Sequence, residues 1–310
     1  MKINVIGDYL IDRYRFYRQT RTDPANDNAP VVELIEEFSV NGGAGNLVRH
    51  IESLCSLELH FFHASCLDEP GWHPFPVKVR HYVDNNFFLR EDVNDKIEYD
   101  EDIVNLCIEE IEPDDFVIIS DYHKGTIKKS DVIRIKEQCH FKGATIFVDT
   151  NHIWDAHYNI DWLKVNLKTA QDFMKVENRD GDSTMISKDI FEKTGSNVIV
   201  TMGDKGCVAY IKELGINVIF TKDKDDNFID SIGAGDSFLA GFVSYMAKHD
   251  QSHLPALVYA DIVAHFSTQQ LGTINRVTKE MADKEYRNAK TFIKKGRGGK
   301  LYVNRTIDNV

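Results

Sequence analysis

Apolar residues in this chain fall in short runs, and from about residue 100 onward these alternate with amphipathic stretches of helical length. Residues 3–6 (Ile-Asn-Val-Ile) form such a run and end at Gly7-Asp8, the form of a buried strand closed by a turn. Residues 116–120, 145–148, 162–166 and 197–201 repeat it. Residues 101–111, 130–139 and 187–193 instead carry apolar positions at helical spacing, with Ser130 placed as a helix cap. Strand and helix in alternation predict a parallel sheet covered by helices on both faces.

The first hundred residues read differently. Residues 9–40 are rich in aromatics and arginine, with turn formers at 22–30 and a partly alternating strand at 31–38. Asn41-Gly-Gly-Ala-Gly-Asn46 is a glycine turn feeding a helix with Leu47, Val48, Ile51 and Leu54 on one face, and residues 57–62 form a second core strand. Short strands at 77–83 and 87–90 come with little helical pattern, which predicts a small β subdomain. Residues 294–300 are basic and glycine-rich and read as a solvated linker before a short tail.

Composition narrows the class. The 310 residues suffice for one large α/β domain. A net charge of −12 excludes a general nucleic-acid binder but leaves room for a local cationic site. Five scattered cysteines without a CxxC pair point to free thiols in a reducing compartment. The chain enters a strand-like run at once, with no secretory pattern and no apolar stretch of membrane-spanning length, so a cytoplasmic protein without a membrane partner is expected. GxxxxGK[ST], a dinucleotide GxGxxG and HExxH are absent. His60 and His63 would face opposite sides of a strand, which disfavours a metal pair, and the sequence names no metal ligands.

The chemistry concentrates in Asp230-Ser-Ile-Gly-Ala-Gly-Asp236, which runs into the apolar stretch Phe238, Leu239, Ala240 and Phe242. Glycines let the backbone turn tightly beside a ligand. A helix starting there would present free N–H groups to an anion, and Asp236 would stand beside it as a proton acceptor. An ordinary loop with Asp236 as a cap fits the same residues. Asp8, Asp121, Asp149, Asn166 and Gly203 also fall at predicted strand ends, where ligands gather on open α/β sheets.

Taken together, Asp230…Gly233-Ala-Gly-Asp236 and Gly42-Gly-Ala-Gly-Asn46 resemble the two signatures of the ribokinase-like (PfkB) carbohydrate kinases. Gly7-Asp-Tyr-Leu-Ile-Asp-Arg-Tyr14, Ala29-Pro-Val-Val32, Ser120-Asp-Tyr-His-Lys-Gly-Thr126 and Leu271-Gly-Thr273 are similar, within that family, to the branch acting on D-glycero-D-manno-heptose 7-phosphate. The resemblance implies a ribokinase-like α/β fold: a Rossmann-like three-layer α/β/α core with a mainly parallel sheet, plus a small β-sheet lid from about residues 10–40 and 75–100. It implies one kinase domain over residues 1–295, a tail over 296–310, and a homodimer formed through the lid. ATP and Mg2+ are the implied cofactors and a sugar or sugar phosphate the partner, with transfer to the anomeric hydroxyl in the heptose branch.

Carried onto this chain, Asp236 is the base, and Gly233, Ala234 and Gly235 form the anion hole. Asp8, Asp12, Gly42, Gly43 and Asn46 hold sugar hydroxyls, and Lys124 and Arg13 take the sugar phosphate. Asn166, Thr201, Gly203, Gly206 and Asp230 lie toward the nucleotide. Three positions depart from the family pattern. Thr169 stands where Asn-x-x-Glu places its carboxylate, Ile232 replaces the threonine before Gly-Ala-Gly, and Asp149-Thr150 replaces Asp-Pro. A kinase for another sugar or nucleoside, and a catalytically weak sugar- or nucleotide-binding regulator, stay open as alternatives. No HxGH motif follows the kinase region, so nucleotidyl transfer is expected of another protein.

Overall fold

The computed structural model describes residues 1–64, 75–176, 185–222, 227–249, 252–274, 277–295 and 300–306. Strands β1 (Ile3–Gly7), β4 (Leu59–Phe62), β7 (Phe116–Asp121), β8 (Thr145–Thr150), β9 (Trp162–Asn166) and β10 (Asn197–Thr201) pair in parallel in the order β10-β9-β8-β7-β1-β4. Beyond β10 the sheet turns antiparallel through β11 (Cys207–Ile211) and β12 (Ile216–Lys222). It is completed by β14 (Lys300–Thr306), parallel to β12, and by β13 (Lys290–Lys295) at the edge. Residues 300–306, expected in a tail, are thus a strand of the sheet, and residues 296–299 and 307–310 of that segment lie outside the described residues.

Two apolar layers cover the sheet. Ile3, Val5, Phe116 and Ile118 face α1 (Ala44–Leu54), α6 (Ala234–Met246), α7 (His253–Ser267) and α8 (Lys279–Asn288). Ile6, Val117, Ile119 and Val148 face α2 (Glu101–Glu109), α3 (Lys129–Lys142), α4 (Leu167–Met174) and α5 (Ile186–Thr194). Successive strand residues point to opposite faces, so continuous apolar runs are what a sheet covered on both sides requires. The expected cap at Ser130 is displaced: α3 begins one residue earlier with Lys128 as N-cap, and Asp131 accepts from the Lys128 N–H at 3.0 Å.

A second sheet, in the order β3-β2-β5-β6, is built from β2 (Tyr9–Asp23), β3 (Ala29–Gly43), β5 (Val77–Val83) and β6 (Asn86–Val93). Both of its long strands leave the core directly, β2 from the end of β1 and β3 into α1. Its Asp12 and Tyr14 thereby reach the C-terminal edge of the main sheet. Cys55, Cys107, Cys139 and Cys207 are buried free thiols, and Cys66 lies outside the described residues.

Candidate active site

Gly233 caps α6 with φ of 77°, and a side chain there would meet Asn46 Nδ2 and Thr273 Cγ2, each at 2.8 Å. The turn therefore demands glycine for its backbone angle and for its neighbours. Asp236 follows in the first turn of α6, 5 % exposed. It accepts from Asn46 Nδ2 at 2.8 Å and from the Tyr122 hydroxyl. Burial raises the Asp236 carboxyl to about 6, with Asp149 adding to the rise and Lys164, Asn46 and Tyr122 opposing it. Such a carboxylate, ionised at neutral pH yet basic enough to take a proton, suits a general base.

Of the three amides expected in the anion hole, the Ala234 N–H donates to Ser231 O at 3.2 Å. The N–H groups of Gly233, Gly235 and Asp236 have no acceptor among the described residues. Lys164 lies beneath the same turn: a side chain on Gly235 would come within 2.9 Å of its Nζ. Lys164 is 6 % exposed and donates to Asp149 Oδ2 at 2.6 Å. Free amides, a helix N-terminus and a buried ammonium converge on one turn, which is an arrangement for a phosphoryl group.

Asp12 stands over Gly42, where a side chain would strike Asp12 Oδ2. Its carboxylate pairs with Arg80 and accepts from Thr273 Oγ1 at 3.4 Å. Thr273 also donates its N–H to the Tyr14 hydroxyl at 3.1 Å, and its carbonyl accepts from Arg49, which holds Asn46 Oδ1 at 3.0 Å. Asp12, Gly42, Asn46, Gly233 and Asp236 are thus brought together. Gly43, with φ of 55°, closes the turn into α1, where the Ala44 N–H donates to Asp8 O at 3.0 Å.

Several expected ligands also hold protein partners. Asp8 is fully buried, and its carboxylate accepts the N–H groups of Tyr122, Lys124 and Thr126 at 2.8, 2.9 and 3.1 Å. It fixes the loop that delivers Tyr122. Arg13 lies on the face of β2 opposite Asp12 and donates to Ser39 Oγ at 3.2 Å, because neighbours on a strand alternate faces. Lys124 pairs its ammonium with Asp95. Asp230 spends its carboxylate on the N–H groups of Ile232 at 3.0 Å and Gly272 at 2.9 Å. Asn166 caps α4 through the Thr169 N–H at 2.8 Å, and Thr169 Oγ1 donates to Asn151 O at 3.2 Å. Asn166 pairs in register with Thr201, and Gly203 and Gly206 form the β10–β11 turn just beyond. No hydrogen bond among the described residues joins this group to Asp236.

Residues not singled out as ligands from the sequence complete the site. Lys78 and Arg80 stand beside Asp12 and Tyr14 in register, and Arg90 pairs with Arg80 on β6. Burial lowers the Lys78 ammonium, Asp12 opposes this, and Arg80, Lys124 and Arg90 add to the lowering, so four cations crowd one side of the site. Lys78 lies over the Tyr122 ring at 5.1 Å and pairs with no carboxylate among the described residues. The signal was there in Val77-Lys-Val-Arg80, where cations alternate with apolar residues, and in Lys164 inside an otherwise apolar strand.

Residues 86–280 match the model of the pfkB family of carbohydrate kinases. The chain belongs to that family. It is 25 % identical over 311 residues to the bifunctional protein HldE of a Nitratiruptor species, covering 92 % of this chain and 65 % of that protein. It is 26 % identical over 298 residues to HldE of Campylobacter jejuni subsp. jejuni, covering 88 % and 62 %. The chain thus spans somewhat less than two-thirds of these relatives. The fold is similar to phosphofructokinase-2 from Escherichia coli in complex with fructose-6-phosphate (TM-score 0.72, 15 % identity, covering 92 % of this chain and 98 % of that one). It is also similar to Arabidopsis thaliana ribokinase complexed with ribose and ATP (TM-score 0.68, 17 % identity, 91 % and 97 %). These likenesses agree with the ribokinase-like three-layer fold and its smaller second sheet. No helix among the described residues is long and apolar enough to cross a membrane.

Proposed function

We propose that this chain transfers the γ-phosphoryl group of ATP to a sugar hydroxyl, with O1 of D-glycero-D-manno-heptose 7-phosphate as the acceptor and the 1,7-bisphosphate as product. The observation that carries the reading is Asp236, held by Asn46 and Tyr122 in the first turn of α6, between the Asp12 cluster and the glycine turn above Lys164. Asp12, Asn46 and Thr273 orient the sugar, and Asp236 takes the proton of the attacking hydroxyl. The free N–H groups of Gly233 and Gly235 and the Lys164 ammonium receive charge on the transferring group. A phosphate at the far end of the acceptor is met by Lys78, with Arg90 and Lys124 around it. Asn166, Thr201, Gly203 and Gly206 line the nucleotide side.

Mg2+ neutralises phosphate charge in such transfers. The chain offers no cluster of three or more metal ligands among the described residues. That fits an ion held largely by phosphates and water, as Mg2+ usually is. The second sheet acts as the lid. Its two opposite edge strands expose Leu34 and Ile35 on β3 and Phe87 and Phe88 on β6, each at least half exposed, and these apolar side chains offer surface through which a homodimer forms.

The test is incubation with Mg-ATP and a panel of sugars and sugar phosphates, read by phosphorus NMR, with Asp236→Asn as control. The reading expects an anomeric phosphate on the heptose, lost by about two to four orders of magnitude in the variant. Product on another acceptor alone would replace the substrate. Absence of product with every acceptor, while ATP still binds, would replace the reaction by a binding role.

A further inference from the structure

A cavity of about 340 Å³ lies between the C-terminal half of α6, α7 and α8. Its lining includes Ser244 and Tyr245, so it sits eight and nine residues beyond Asp236 on the same helix. At the rise of an α-helix that is roughly 12–14 Å from the proposed base, and none of the residues placed in the active site lines it. The volume falls within the range of small-molecule sites.

Two features of the lining point to an occupant. The first is charge: Lys248, Lys279 and Arg287 face a single carboxylate, Asp283, in a chain whose net charge is −12. Asp283 is already engaged, pairing with Lys279 and accepting from the Tyr259 hydroxyl at 2.9 Å. Lys248 Nζ donates at 2.6 Å to Leu54 O, a neutral acceptor, and Arg287 forms no ion pair among the described residues. The second is a buried donor: Ser244 is 1 % exposed, lines the cavity, and its Oγ has no hydrogen-bond partner among the described residues. A buried hydroxyl is rarely left so. The remaining wall is aromatic: Tyr245 packs against Tyr259 and Tyr286 at 5.4 and 5.3 Å between ring centroids.

We propose that this cavity binds a small phosphate ester carrying an aromatic ring, the phosphate between Lys248 and Arg287 and the ring against the tyrosines. Cations without bound carboxylates provide charge-assisted hydrogen bonds to phosphate oxygens, and the tyrosine wall gives a ring aromatic surface to pack against. The site is independent of the proposed kinase reaction.

The test is calorimetric titration of the 310-residue protein with phenyl phosphate in the absence of nucleotide. Inorganic phosphate and phenol serve as the separate halves. The expected result is one site for phenyl phosphate, at least tenfold weaker binding of either half, and at least a tenfold loss in Arg287→Gln and in Lys248→Gln. Asp236→Asn should bind phenyl phosphate as the parent does. Arg287 is exposed, so its variant keeps the fold testable. Absent binding, binding unchanged in both cavity variants, or inorganic phosphate or phenol binding as tightly as the ester would each overturn the proposal.

Discussion

Replacing Lys164 by methionine tests the electrostatics of the site directly. Lys164 and Asp149 form an ion pair of 2.6 Å whose side chains are 7 % and 12 % exposed. Methionine fills similar space but leaves the Asp149 carboxylate buried without its cation. Removing one partner of a buried pair costs about 3–5 kcal/mol, a large part of the roughly 5–15 kcal/mol that stabilises a typical domain. Urea unfolding at neutral pH should show that loss as a lower midpoint with an unchanged slope. Adding Asp149→Asn should restore a good part of it, because the orphaned charge is then gone. The same variant has a catalytic signature. Lys164 is a group that holds the Asp236 carboxyl down, so its removal should move the acidic limb of kcat/KM to higher pH, beyond the general fall in rate. A loss below about 1 kcal/mol, the scale of an exposed pair, would refute the reasoning. So would a double variant no more stable than Lys164→Met.

Other outcomes follow from the same geometry. In the parent protein kcat/KM should fall as pH drops through about 6, because Asp236 is then protonated and cannot accept a proton; a profile flat to well below that pH would remove Asp236 as the base. Arg80→Met should destabilise by about 3–5 kcal/mol by stranding Asp12, and should raise KM for the sugar more than for ATP. Phe88→Glu combined with Ile35→Glu should halve the mass measured by light scattering if the exposed face of the second sheet joins two copies. Gly272→Ala should lower stability by about 1–3 kcal/mol in thermal unfolding, since its φ is 59° and its side chain would strike the Tyr14 hydroxyl.

The sequence by itself determined the layered α/β core, because buried parallel strands need apolar runs and covering helices need a 3.6-residue period. It also determined the glycine turn at Gly233 and the acid beside it, since few residues tolerate that backbone and Asp236 follows directly. Strands β11 to β14 are less legible: Cys207–Ile211 is a buried run of only five residues, and β13 and β14 carry basic residues at their ends and lack a strong period. The partners of each charge were decided by tertiary structure alone. Asp8 and Asp12 lie four residues apart, yet one is consumed by three loop amides and the other faces Arg80 and Thr273. Arg13 follows Asp12 but is turned away by strand alternation, while Lys78 and Arg80 arrive from a distant strand in register with β2. Local pattern records burial and backbone freedom. Which charges meet depends on register between strands far apart in the chain, and only the folded molecule sets that register.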